Sequence, residues 1–324
     1  MDTGATILRR VTRVVVAGPA SWNHLILLDR LPEPVPHMQF ARASRHTVGG
    51  TSAGKAVHLA ALGLDTRLHT LLGDDSDGAR IARTLRTTGL DVVAHRSRDT
   101  ERHVNLMTGA GERVSLYVST PSTPSPAALA AMADDLRGAD IAIVDLSADG
   151  AELVARIADR TGQLWVDLHD YDGTSAFHEP YVRAADVVFM NADATDDPWA
   201  LLDSCLARGP RIAVCTLGAD GAIARDAGGA RVRVPAARAE VVDTNGAGDA
   251  FCAGFLAAFV AASDVAAAGP ARASAAGPAD AAQRHDAARL DDALRAGARQ
   301  AVVALGSADL HPLLAQAGPA ASRS

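Results

Sequence analysis

Asp243-Thr244-Asn245-Gly246-Ala247-Gly248-Asp249, followed by the small apolar run Ala250-Phe251-Cys252-Ala253-Gly254-Phe255-Leu256-Ala257-Ala258-Phe259, is the most informative stretch of this 324-residue chain. A Gly-Ala-Gly turn carries no side chain larger than a methyl, so its backbone N–H groups can close around an anion at the start of the helix that follows. Asp249 falls at that same helix start. An acid beside an anion hole repels a plain phosphate ligand, but it suits removal of a proton from a hydroxyl that attacks phosphorus. The chemistry of the stretch therefore points to a kinase. The bland alternative is an Asp-rich turn capping a buried helix.

Asp-Thr-x-Gly-Ala-Gly-Asp, then three residues, then Ala-Gly and two apolar positions, resembles the C-terminal signature of the ribokinase-like (PfkB) carbohydrate kinases. Three other segments agree in order. Gly49-Gly50 through Leu62-Gly63, with Leu72-Gly73-Asp74-Asp75 and Gly78, is similar to the family's Gly-Gly block and the turn after it. Gly111-Glu112-Arg113 resembles its lid hairpin, and Thr216-Leu217-Gly218-Ala219-Asp220-Gly221 its nucleotide-side turn. The likeness runs from about Val14 to His311.

The resemblance implies a three-layer α/β/α core with a mostly parallel central sheet and a small β-sheet lid. It implies ATP and Mg²⁺ as cofactors and a small sugar or polyol as acceptor, with a nucleoside as the rival acceptor. A catalytically silent nucleotide- or sugar-binding protein is the reading outside the enzymes. Carried over by position, the base is Asp249 and the anion hole is Gly246, Ala247 and Gly248. Thr216, Gly218, Gly221 and Thr244 fall on the nucleotide side, and Asn191 on the phosphate. Lid-to-lid homodimers occur in the family, and no residue of this chain argues for or against one.

Where the chain departs from the pattern, its acceptor comes into question. The Gly49-Gly50 block lies against the sugar in the family, and an asparagine follows four residues later; here that position is Gly54. The family often places an Asp five residues after a strand-terminal glycine, and counting from Gly18 gives Asn23. Asp offers a charged acceptor to vicinal hydroxyls, whereas Asn offers one neutral acceptor and a donor. Plain ribose is therefore not the expected substrate. Trp22, His24, His46, Lys55, Arg102, His103 and Asn105 are the residues that could replace those contacts. Lys55 could meet an anionic group on the acceptor, or simply sit solvated on a first helical turn.

The metal site departs as well. The family's Asn-x-x-Glu is matched by Asn191 but has Ala194 in place of Glu, leaving Asp193, Asp196 or Asp197 to substitute. Mg²⁺ needs only one or two carboxylates, although all three are also ordinary acids for a helix start. Asp167-Leu168-His169-Asp170 stands where the family has Asp-x-Asn, with His169 or Asp170 facing phosphate or metal, or the turn held by its own Asp side chains.

Gly49 to Lys55 also fits Gly-x-x-x-x-Gly-Lys. A P-loop needs Ser or Thr after the lysine and a hydrophobic strand before the first glycine. Ala56 and the polar Phe40–Val48 supply neither.

Short β-branched runs alternate with Ala/Leu/Arg-rich helical stretches, the pattern of a doubly wound α/β sheet. Strands are expected at Val14–Ala17, Thr66–Leu72, Ile141–Asp145, Leu164–Leu168, Val187–Met190 and Ile212–Thr216. Helices are expected at Thr51–Leu62, Asp77–Thr88, Gly150–Thr161, Ala200–Ala207 and Leu290–Leu305. Two stretches break the alternation, about 21–47 and 92–119, and match the family's lid. Residues 261–288, rich in Ala, Gly and Pro, read as a flexible insertion, and 315–324 as a disordered tail. The whole chain reads as one kinase domain.

With 48% hydrophobic residues the chain can bury a large core. Its 31 basic and 38 acidic residues give a net charge of −7 with no basic block, which argues against nucleic acid and anionic membrane as partners. The run after Asp249 is too short and too broken for a membrane span, and no signal peptide is readable. A soluble, cytoplasmic protein is expected. Cys205, Cys215 and Cys252 are scattered and read as small buried hydrophobes.

Overall fold

The computed structural model describes residues 11–109, 111–147, 149–268 and 278–315. The chain runs β1 (Arg13–Ala17), β2 (Ser21–Leu28), β3 (Ala43–Gly49), α1 (Thr51–Ala61), β4 (Asp65–Gly73), α2 (Ser76–Thr87), β5 (Asp91–Ser97), β6 (Glu101–Thr108), β7 (Arg113–Ser119) and α3 (Pro126–Arg137). It continues through β8 (Ile141–Val144), α4 (Gly150–Arg156), β9 (Gln163–Asp167), α5 (Glu179–Ala184), β10 (Val187–Asn191), α6 (Pro198–Leu206) and β11 (Ile212–Thr216). The last elements are β12 (Ala222–Asp226), β13 (Arg231–Val234), α7 (Ala247–Ala268), α8 (Pro278–Leu305) and α9 (Pro312–Ala315).

Nine strands form one sheet in the order β13-β12-β11-β10-β9-β8-β1-β4-β5. It is parallel from β11 to β5; β12 pairs antiparallel with both β11 and β13 and is the one reversed strand of this sheet among the described residues. In β1, Val14 and Val16 pack into one hydrophobic cluster while Val15 and Ala17 pack into the other. That alternation on a strand buried on both faces is the reason its sequence is an unbroken apolar run. Chain order reverses at β1, which has β4 on one side and β8 on the other. Open α/β sheets bind ligands beyond the strand ends at such a point.

The face covered by α1, α7 and α8 is dominated by aromatic side chains. Trp165 is fully buried, stacks on Phe189 and meets Phe255 and Phe259 edge-on, and its indole N–H donates to Gln163. Replacing Trp165 with alanine removes all three ring contacts and should cost about 4 kcal/mol of stability, read from the urea midpoint. A loss below about 1 kcal/mol would mean that the layer collapses into the space.

The lid is a separate four-stranded sheet in the order β3-β2-β6-β7. Its second segment begins at Glu101 and not at 92, because β5 pairs with β4 as an edge strand of the large sheet and buries Val92 in the core. Its first segment extends to Gly49, two residues past the expected end. Ion pairs and hydrogen bonds dock the lid on the core: Arg45 Nη2 to Asp243 at 2.5 Å and to the Ala308 carbonyl at 2.6 Å, Thr47 to Asp309 at 2.5 Å, and Arg113 to Asn245 at 2.7 Å.

Helix α4 stops at Arg156 instead of reaching Thr161. The stretch expected as a flexible insertion from 261 to 288 is helical at both ends, in α7 and α8, and its centre at 269–277 lies outside the described residues. Ala closes helical turns without losing side-chain freedom, so an Ala-rich composition poor in large apolar residues does not exclude helix. Of the tail expected from 315 onward, Ala315 ends α9 and the rest lies outside the described residues. Among the described residues no helix is long and apolar enough to cross a membrane.

Candidate active site

Two cavities meet beneath the lid. One, of about 470 Å³, lies between the lid and the ends of the central strands; the other, of about 610 Å³, lies between the turn after β11 and helices α7 and α8. Thr244 and Gly248 line both. The Gly-Ala-Gly turn therefore stands at their junction, which is where a group passing from one cavity to the other must cross. Gly246 adopts a φ of 76°, a left-handed conformation that a glycine takes without steric cost. It ends the loop and lets α7 begin at Ala247, so the free N–H groups of the first helical turn collect at this junction.

Asp249 lies in that first turn, 7% exposed, and lines the lid-side cavity. Its Oδ1 is 2.7 Å from Nζ of Lys55, which α1 projects from the opposite side. Lys55 is fully buried and also meets Asp145 at 3.0 Å and Asp167 at 3.1 Å. Asp145 follows β8 and accepts from Thr51 and Ser52 at 3.0 and 2.6 Å; Asp167 ends β9 and accepts from the His169 backbone at 3.0 Å. Burial, the largest effect, together with the charges of Asp145 and Asp167, pushes Asp249 up to about 6 against the pull of Lys55. Burial works against the Lys55 ammonium too, yet Asp145, Asp249 and Asp167 hold its pKa well above the ordinary lysine value. Burial likewise opposes ionisation of Asp167, but His169 and Lys55 hold its carboxyl well below the usual range.

Gly54 explains itself here. A Cβ on it would come within 2.8 Å of Asp249 Oδ2 and 3.0 Å of the aspartate's own Cβ. The position where relatives of the family carry an asparagine is thus filled by the Asp249 carboxylate packing directly on the α1 backbone, and no side chain from it reaches the cavity.

Several other expectations change. Lys55 faces three carboxylates and neither solvent nor the cavity. Arg102 is turned away from the cavity and pairs with Asp77 at 2.7 Å and Asp75 at 3.1 Å. Trp22, His24 and His46 stack on one another, with Arg80 over the Trp22 ring, on the lid face opposite Asn23. None of these five lines the cavity. Gly49 does not line it either; the Asn23 amide packs over it at a distance that a Cβ would occupy. Asp193 is exposed and lines neither cavity, and Asp197 accepts from Ala200 as the cap of α6.

The remaining expectations converge. Asn23, Gly50, His103, Asn105 and Asn191 line the lid-side cavity, while Thr216, Gly218, Gly221 and Thr244 line the other. Glu101 and Tyr117 join the first group without having been singled out in the sequence, and Arg113, quoted there only within the lid hairpin, joins them. The signal was available, since Glu101, His103 and Asn105 alternate along β6 and a strand's alternate residues share a face. Asn23 donates or accepts less than its type allows, because its Oδ1 takes the Ser21 hydroxyl at 2.7 Å. Glu101, paired to Ser21 across the sheet, is buried at 7% exposure with its carboxylate 2.9 Å from His103 Nε2. His169 has a φ of 51°, the one such non-glycine among the described residues, and this strained backbone holds its ring at the cavity wall.

The pfkB family carbohydrate kinase model matches residues 11–288. The chain belongs to this family. It is 34% identical over 253 residues to the acarbose 7(IV)-phosphotransferase of an Actinoplanes strain, covering 76% of this chain and 84% of that one. It is 30% identical over 275 residues to the ATP-dependent ribose-1-phosphate kinase of Halopiger xanaduensis, covering 79% and 87%. Among solved structures, a microbiome-derived acarbose kinase superposes with a TM-score of 0.72 at 27% identity, covering 94% of this chain and 99% of that one. Arabidopsis thaliana ribokinase, solved with ribose and ATP, shares the fold with a TM-score of 0.68 at 20% identity, covering 96% and 100%. The protein is a ribokinase-like sugar or nucleoside kinase, a phosphotransferase with an alcohol group as acceptor.

Proposed function

We propose that the protein transfers the γ-phosphoryl group of ATP to a hydroxyl of an uncharged sugar or sugar-like polyol bound under the lid, with Asp249 as general base. One observation carries this reading: a buried carboxylate of raised proton affinity stands at the junction of two cavities, beside the free N–H groups of a helix start. ATP lies along Thr216, Gly218, Gly221 and Thr244, and its γ-phosphate reaches the turn of Gly246, Ala247 and Gly248. The acceptor hydroxyl approaches from the lid side. Asp249 takes its proton as the new O–P bond forms, and the electron pair of the breaking P–O bond leaves on the terminal oxygen of ADP. The N–H groups of the turn stabilise charge on the transferred oxygens. The docked lid keeps water from competing for phosphorus.

Among the described residues no group of three His, Cys, Asp or Glu side chains could hold a metal by itself. That fits Mg²⁺ bound chiefly through phosphates and water, with one protein carboxylate. Asp170, which accepts from Asn191 at 2.5 Å on the cavity wall, is better placed for this than the expected Asp193. Bound there, Mg²⁺ supplies charge neutralisation of the phosphates.

The lid-side cavity argues for an uncharged acceptor. Glu101, Asp167, Asp170 and Asp249 face it against a single arginine, Arg113, and Lys55, one candidate to meet an anion, is instead paired with carboxylates. Glu101 supplies the charged acceptor for vicinal hydroxyls that Asn23 does not. Tyr117, 67% exposed and 4.0 Å from the His103 ring, gives a nucleoside base a face to stack on and keeps that acceptor as the second reading.

Mg-ATP-dependent ADP release across neutral sugars, pseudo-oligosaccharides, sugar phosphates and nucleosides tests the proposal. Neutral polyols should turn over, and Glu101→Gln should raise their KM by about tenfold or more while leaving the KM for ATP unchanged. Turnover confined to sugar phosphates would overturn the uncharged acceptor. Turnover confined to nucleosides would replace the sugar with the second reading.

A further inference from the structure

Lys55 is the sole lysine of the chain, and it is fully buried. An ammonium has three N–H donors and no acceptor. Here three carboxylate oxygens, from Asp249, Asp145 and Asp167, lie 2.7 to 3.1 Å from Nζ. Nothing is left over for a substrate. Two of the three partners are themselves anchored, Asp145 by the hydroxyls of Thr51 and Ser52 and Asp167 by the His169 backbone. Lys55 thus sits between the ends of β8 and β9, ion-paired to both aspartates there, and donates its hydrogen bond to Asp249 Oδ1 on α7.

We propose that Lys55 is a positioning residue, which holds the Asp249 carboxylate ionised and aimed at the acceptor hydroxyl. The proposal rests on the reading of Asp249 as the base. Its physical ground is charge counting. Three carboxylates packed around one point cannot all stay ionised without a counter-charge, because each like charge raises the proton affinity of the next. With the ammonium in place the cluster carries two net negative charges, and burial with the aspartate neighbours already raises the proton affinity of Asp249. Without it the proton affinity of Asp249 rises further, while Asp167 is still held ionised by His169 and Asp145 still accepts from the Thr51 and Ser52 hydroxyls. A base that is already protonated cannot accept the hydroxyl proton. The other groups around the cluster are the Cys252 thiol on α7 and, across the cavity, Asp170, Glu101, His103 and Arg113. None of them touches Asp249 Oδ1, so none replaces the ammonium.

The test is the pH dependence of kcat for wild type, Lys55→Met, Asp145→Asn and Asp249→Asn. Activity that needs an ionised Asp249 falls on the acid side. Lys55→Met should move that acid limb upward by about 1–3 pH units and regain activity as pH rises, with the KM for ATP unchanged. Asp145→Asn removes a like charge and should move the limb the other way. A pH-independent loss in Lys55→Met, with the limb where wild type has it, would overturn the proposal and leave the lysine a packing element. Near-native activity in Asp249→Asn would instead remove the base reading itself, a separate outcome.

Should Lys55→Met fail to fold, the wild-type protein supplies a second measurement. ¹⁵N-labelled lysine gives one side-chain resonance in this chain. It should shift through the same pH as the kinetic limb and lose that step in Asp249→Asn. A resonance that does not move through that pH would overturn the proposal.

Discussion

Asp249→Asn lowers kcat by about 10³-fold while the KM values for ATP and acceptor change little, because the amide keeps the shape of the carboxylate but has no basic oxygen. Both substrates still bind, so a binding assay with ATP separates this loss from unfolding. The wild-type enzyme should carry the matching pH signature. Asp249 is pushed up to about 6 by burial and by its aspartate neighbours. A base must be deprotonated, so kcat is full above that value and falls as pH drops through it, by about tenfold per unit below. Retention of near-native turnover in the asparagine variant would show that the hydroxyl loses its proton elsewhere.

Gly54→Ala is the second large effect, and no charge changes in it. The new methyl would lie within 2.8 Å of Asp249 Oδ2 and 3.1 Å of its carboxyl carbon. Those atoms belong to a short side chain already tied to Lys55, so it cannot swing aside as a long flexible chain would. Alanine favours the helix over glycine by roughly 0.5–1 kcal/mol, whereas forcing a methyl into a packed site costs about 1–3 kcal/mol. The clash wins, and what yields is the aim of the carboxylate. A misplacement of about 1 Å costs on the order of 10² in rate. Turnover should therefore fall about a hundredfold with a folded protein and unchanged ATP binding. Wild-type turnover would mean that Asp249 has room to shift and that α1 does not set its direction.

The parts of this protein that were legible in the sequence are local ones. The β1 run Val14–Ala17 could be read because a strand buried on both faces is apolar throughout. Asp249 and the glycine turn could be read because the proposed anion hole and base lie within four residues at one helix start. The turn from Thr216 to Gly221 was legible for the same reason, and it lines the second cavity, where ATP is proposed to lie. β5 was misplaced because period-2 patterning is shared by lid strands and by an edge strand of the main sheet, and only pairing tells them apart.

Lys55 marks where sequence stops. By itself it is the one lysine beside a glycine-rich block that fails as a P-loop, which leaves an acceptor anion and solvent both open to it. Its partner Asp249 is 194 residues away, Asp145 comes from a different strand end, and the helical phase of α1 decides that the side chain points inward. The same holds for Arg102, turned by the pleat of β6 toward Asp75 and Asp77, and for Glu101, turned by that same pleat into the cavity. The sequence alone determined the family and the sheet and singled out the carboxylate proposed as the base, since each is written in neighbouring residues. The tertiary structure alone decided which charges meet that carboxylate and which face the acceptor, because burial fixes partners that the chain brings together from far apart.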